Sequence, residues 1–168
     1  TRRKLVESSD ESIRENAEAL FDSASSTSRE AVLAAWRNTL ELAGDPVAGK
    51  AVFATACVAC HVAEDVGNAV GPDLSALTDR SPEALLVAIL DPNRAVEDKY
   101  VNYAITTEDG ASLVGLIANE NANGFTLRQV DGSERSIQRS EIASLTSAGL
   151  SLMPEGLENA LSRQQLAD

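Results

Sequence analysis

The chain holds two cysteines and one histidine, and all three fall within five consecutive residues, Cys57-Val58-Ala59-Cys60-His61. Two thiols three positions apart, at the end of a helical segment, can add to the two vinyl groups on one edge of a porphyrin. The next residue, His61, then falls beneath the iron, where an imidazole nitrogen can coordinate it. The spacing points to one covalently attached haem of the c type, anchored through Cys57 and Cys60. Competing uses of the motif fit less well. A structural zinc site takes four protein ligands, and only three soft donors exist here. A redox dithiol is expected after a strand in a βαβ unit, whereas this pair follows a helix. A disulfide across so short a span is strained.

Ligand counting constrains the other face of the iron. No second histidine exists, so two-histidine ligation within one chain is ruled out. The one methionine, Met153, lies in Ser151-Leu152-Met153-Pro154-Glu155-Gly156. A thioether opposite His61 raises the reduction potential. The alternative is that Met153 fills a gap in the core. The iron is then five-coordinate, or takes Lys50, Lys99 or water. Pro72 is the candidate to present a carbonyl to the free N–H of His61. Leu74 and Leu77 are candidates to line the haem on that side. Arg80, Arg94, Tyr100 and Tyr103 are candidate propionate partners, each with an ordinary surface or packing role as its alternative. Trp36 reads as core.

Composition narrows the partners. The formal charge is −12. Phosphate binding needs clusters of Lys and Arg, so nucleic acid is not expected as a partner. An acidic surface suits a partner with a basic patch, or serves solubility. Apolar residues make up 43 % and aromatics 4 %. A core so poor in rings suits a large flat cofactor. No stretch approaches the roughly 18 apolar residues of a membrane span. Arg2-Arg3-Lys4 leads into no apolar export segment, so the chain reads as a mature fragment or, preferably, an excised domain.

Along the chain, helical spacing covers 10–22 and 28–43, with a Ser-Ser-Thr-Ser break at 25–28. Gly44-Asp45-Pro46 ends the second helix and starts a third that runs into Cys57. Residues 61–80 read as loop, and Ser81-Pro82-Glu83 opens a short helix stopped by Asp91-Pro92-Asn93. Strands follow at Tyr103–Thr107, Leu113–Ala118, Phe125–Val130 and Glu134–Ile137, a four-stranded antiparallel meander. Glu141–Leu145 reads as a short helix or turn, and 155–168 as a closing helix. The expected fold class is mainly α, with a small antiparallel sheet inserted between His61 and Met153. The expected division is 1–44 as N-terminal helices and 45–168 as one domain, the insert lying at about 100–138.

These residues resemble class I cytochrome c. Gly49-x-x-x-Phe53-x-x-x-Cys57-x-x-Cys60-His61 is similar to its first helix, Gly71-Pro72-Asp73-Leu74 to the segment after it, and Met153-Pro154 to its distal ligand segment. The resemblance implies that Gly49 and Phe53 pack on a C-terminal helix bearing Leu157, Leu161 and Leu166. His61 and Met153 stand about ninety residues apart, far more than in compact members. A narrower resemblance covers about residues 29–168. Ile89-Leu90-Asp91-Pro92-Asn93-Arg94, Thr107-x-Asp109-Gly110 and Ser151–Leu157 look like the haem-binding domain of planctomycete and verrucomicrobial bacteria. That domain ends large secreted, dehydrogenase-like proteins. The resemblance implies electron transfer through Fe(III)/Fe(II) rather than catalysis by this domain, and haem attachment outside the cytoplasm, as in a periplasm. It also implies a redox partner or upstream dehydrogenase domain, with the first helices as the tail of a helical repeat region. The alternative functions are a ligand sensor or peroxidase-like enzyme with an open sixth position, or a binding module working through the strands.

Overall fold

The computed structural model describes residues 10–11, 26–147 and 149–168. Beyond its first two positions, the helix expected over 10–22 lies outside the described residues. Helix α1 (Ser26–Trp36) starts two residues before the expected 28, then tightens into a 3-10 turn at Arg37–Glu41. Asn38 and Thr39 are weak helix formers, which suits the change.

Helix α2 (Pro46–Ala56) begins as its local chemistry dictates. Pro46 occupies the first turn, where a missing N–H costs nothing. The Asp45 carboxylate accepts hydrogen bonds from Val47 N at 2.8 Å and Ala48 N at 3.4 Å. Asp45→Ala is expected to lower stability by about 1 kcal/mol, read as a lower urea midpoint at unchanged slope. Helix α3 (Pro82–Leu90) repeats the arrangement, with Ser81 Oγ accepting from Ala84 N at 3.3 Å. Its Leu86 and Leu90 are buried.

The single closing helix expected over 155–168 is two pieces. Gly156, at φ +91°, opens a separate 3-10 turn at Leu157–Asn159. Helix α4 (Arg163–Ala167) follows behind a Ser162/Gln165 capping box. It is laced to the start of the fold. Arg163 lies over the Trp36 ring at 4.8 Å and donates to Ala35 O and Asn38 Oδ1. Trp36 is therefore half-buried under a guanidinium rather than deep in a core.

A short hairpin, β1 (Val62–Ala63) and β2 (Val66–Gly67), follows the cysteine motif. The larger sheet is antiparallel and comprises β3 (Tyr103–Thr107), β4 (Ser112–Glu120), β5 (Gly124–Arg128), β6 (Glu134–Gln138) and β7 (Ile142–Thr146), in the order β6-β5-β4-β3-β7. This corrects two expectations. The described residues form a mixed α and β structure, which does not support a mainly α class. Residues 142–146, read as a helix or turn, form a fifth strand paired with β3. The strands thus run beyond 138 to Thr146.

The two outer strands, β6 and β7, are joined by the 3-10 turn Arg139–Glu141, so the sheet must curl to bring its edges to one corner. Ile105, Phe125, Leu127 and Ile137 are buried together, with Leu113, Ile117 and Ile142 packed against them. Arg128 ties the sheet to the rest of the chain by donating to Ala69 O at 2.9 Å. Among the described residues, no helix is long and apolar enough to cross a membrane.

Candidate haem site

Cys57 closes α2, its N–H bonding to Phe53 O at 3.0 Å. The chain then tightens, with Cys60 N and His61 N both donating to Cys57 O, at 3.0 and 2.9 Å. The loop that follows folds back over the motif. Val70 N and Gly71 N donate to Cys60 O, and Asn68 N to Val58 O. Gly67, at φ +113°, lets the chain turn where a Cβ would strike His61 O.

This return places Pro72 O 2.8 Å from His61 Nδ1. A carbonyl only accepts, so Nδ1 is the donor in this bond, and in the neutral imidazole that leaves the lone pair on Nε2. That is the tautomer an iron ligand requires. Gly71 lies flat against the same ring: a Cβ there would stand 2.6 Å from His61 Cε1. The imidazole is held on one side by backbone and at Nδ1 by a carbonyl.

His61 faces a cavity of about 710 Å³, within the roughly 300–1,000 Å³ typical of small-molecule sites. Its wall includes Val52, Phe53 and Cys57 from α2, and Pro72, Leu74 and Leu77 from the loop. Leu85, Val87, Ala88 and Ile89 come from α3, and Met153, Leu157, Leu161 and Leu166 from the C-terminal segment. Helix α2 is apolar yet buries no residue fully, because Val52 and Phe53 turn towards this space. A second depression, of about 540 Å³, lies by the Asn121–Gly124 turn and contains none of the motif residues.

Residues 46–112 match the family model for cytochrome c. This segment is similar to a cytochrome c domain. The match covers less than half of the chain and stops before Met153. Comparison with curated proteins finds no match.

The residues present fit a haem. An apolar cavity opens beside the cysteine motif, and the histidine in its wall has a free Nε2. Among the described residues, no cluster of three or more His, Cys, Asp or Glu offers a separate metal site. Burial, and then the neighbouring Cys60, push the Cys57 thiol above its ordinary value. A thiol raised in this way is unlike the low-pKa thiolates of redox dithiols.

The other candidates divide. Arg94 and Tyr100 are in the wall, Arg94 paired with Asp91 at 2.8 Å and Tyr100 beneath Lys99 at 4.9 Å. Cys60 is half-buried but outside the wall. Arg80 is also outside it, its guanidinium bonded to the carbonyls of Leu77 and Ser75. Tyr103, the first residue of β3, is likewise not in the wall. Lys50 pairs with Glu64 at 2.8 Å and Lys99 with Glu97 at 3.1 Å, and neither lines the cavity. Gly49 meets the C-terminal backbone directly, where a Cβ would collide with Asp168 O.

Sequence reading passed over two residues that shape the site. Arg29 is 6 % exposed. It donates to Leu90 O at 2.7 Å and forks onto Glu158, Nη1 to Oε1 at 2.7 Å and Nη2 to Oε2 at 3.0 Å. Asn93 bonds to the chain on both sides of Met153. In the sequence it read as part of a helix stop and of the Ile89–Arg94 motif, with no role assigned to its side chain.

Proposed function

We propose that this chain transfers single electrons through one covalent haem, with Cys57 and Cys60 as its anchors and His61 and Met153 as its axial ligands. The observation that carries the reading is the oriented His61, bonded to Pro72 O, on a largely apolar cavity that Met153 also lines. Cytochrome c domains usually transfer electrons rather than catalyse. When bound, haem supplies a one-electron Fe(III)/Fe(II) couple. Pro72 O holds the Nδ1 side of His61, and Nε2 is the nitrogen that would ligate the iron. Val52, Phe53, Leu74 and Leu77 exclude water. Arg94 and Tyr100 are the wall residues suited to propionates.

The wider setting is part of the same proposal. Residues 45–168 form the haem-bearing unit, with 26–44 packed against it through Arg29, Ala35 and Asn38. The unit works outside the cytoplasm, in a larger secreted redox protein of the planctomycete type. The motif combination Asp91-Pro92-Asn93-Arg94 with Ser151–Leu157 supports this. With a charge of −12, its redox partner presents a basic surface.

The test uses two variants. Wild-type protein keeps its haem stain after denaturing electrophoresis, and Cys57→Ser/Cys60→Ser loses it. Met153→Ala lowers the midpoint potential by roughly 120 mV, about a hundredfold in relative ligand affinity at about 59 mV per tenfold. An unchanged spectrum and potential in M153A sink the distal assignment. Fast cyanide binding to untreated wild-type protein favours the sensor or peroxidase reading instead.

A further inference from the structure

We infer that Asn93 is a positioning residue that holds Met153 in the cavity wall, an inference that rests on Met153 being an axial ligand. Met153 belongs to no helix or strand, being flanked by the isolated bridge residue Ser151 and by Gly156, which has a positive φ. A thioether is a neutral ligand on a flexible stem, so its place depends on how the loop is held.

One side chain grips that loop twice. Asn93 Oδ1 accepts from Ser151 N at 2.8 Å, and Asn93 Nδ2 donates to Glu155 Oε1 at 2.5 Å. The two contacts fall two residues before Met153 and two after it. Ser151 relays the first one, its Oγ accepting from Met153 N at 3.1 Å. The primary amide offers an acceptor and a donor from one small planar group, which matches Ser151 N on one side and the Glu155 carboxylate on the other.

Asn93 is itself fixed by the end of α3. Arg94 N donates to Asp91 O at 3.1 Å, and Arg94 pairs with the Asp91 side chain at 2.8 Å. Helix α3 walls the same cavity. The amide therefore couples the position of Met153 to the helix beside it, rather than to the long chain between them.

The experiment uses haem-loaded full chains: wild type, N93D, N93D/E155Q and M153A. It reads the rate of cyanide binding to the ferric form, with midpoint potential alongside. N93D loses the donor and sets two carboxylates together, and is expected to bind cyanide about tenfold faster at a lower potential. In N93D/E155Q the roles exchange: the carboxylate introduced at position 93 accepts from both Ser151 N and the amide introduced at position 155. Its rate is expected to return to within about twofold of wild type.

A wild-type rate in N93D overturns the inference, and so does a double variant as fast as N93D. If N93D yields no loaded protein, E155A, which removes one grip, takes its place with an expected rise of about threefold. A wild-type rate there overturns the inference too. M153A separates the two levels. If it binds cyanide no faster than wild type, the axial assignment fails; if it is fast while N93D is not, only the role of Asn93 fails.

Discussion

Arg29→Ala is expected to cost about 3–5 kcal/mol, the usual loss when one partner of a buried ion pair is removed. The side chains of Arg29 and Glu158 are 7 % and 11 % exposed. Truncation leaves the Glu158 carboxylate buried without its cation and strips Leu90 O, at the end of α3, of its donor. A denaturant melt measures the loss.

The dependence on pH carries a second signature. Hydrogen bonds from Arg29 are the largest influence on Glu158, and they hold its carboxyl below the usual value of about 4.5, against the opposing effect of burial. A carboxyl lowered in the folded state stabilises fully above its unfolded value. That contribution fades as pH falls through the lowered folded value. Wild type should therefore exceed R29A most at neutral pH, and the gap should narrow in acid. A constant gap from pH 7 down to pH 3 would contradict this. Arg29 also anchors the turn five residues beyond Met153, so R29A should loosen the segment that carries Met153 as well.

Gly71→Ala is expected to damage the proximal side. The new methyl would stand 2.6 Å from Cε1 and 3.0–3.1 Å from both ring nitrogens of His61. One of them must shift, and Gly71 N is itself bonded to Cys60 O. Overpacking of this kind costs about 1–3 kcal/mol. The larger effect falls on ligation, because the ring turns away from Pro72 O. G71A should load less haem and show a mixture of high-spin ferric species in its optical spectrum. A wild-type spectrum and yield would show that the ring does not need the flat surface. Pro72→Ala, which keeps the carbonyl, should remain much closer to wild type.

Features written in local chemistry were legible before the fold was known. Asp45-Pro46 and Ser81-Pro82 mark helix starts because cap and helix lie within three residues of each other. His61 and Met153, which line one cavity, stood out as the one histidine and the one methionine of the sequence. Strand β7 was not legible, for a definite reason. Ala143 is an extra residue opposite β3, so Ile142 faces Thr107 while Leu145 faces Ile105. The bulge puts two apolar residues three apart on one face, which is also the spacing of a helix. Arg29 was obscured because arginine is rarely buried, and its partner lies 129 positions away. Asn93 was hidden behind a correct but incomplete reading: Asp91-Pro92-Asn93 does stop α3, and the bonds of Asn93 reach 58 and 62 residues along the chain.

The strands enter and leave through a narrow neck. Val101 bridges Ser151, and Asn102 N donates to Leu150 O at 2.8 Å. Everything between departs and returns at nearly one point, as in a module spliced into a host. Closing a flexible loop of that length costs only about 0.6 kcal/mol more than closing one half as long. The sheet is therefore not needed to bring its own ends together; the neck does that. Evolution could resize, swap or decorate this module while keeping the neck and the bond from Arg128 to Ala69 O that reaches the loop beside His61. A docking surface carried on it would be free to change with its partner while the haem site stayed as it was.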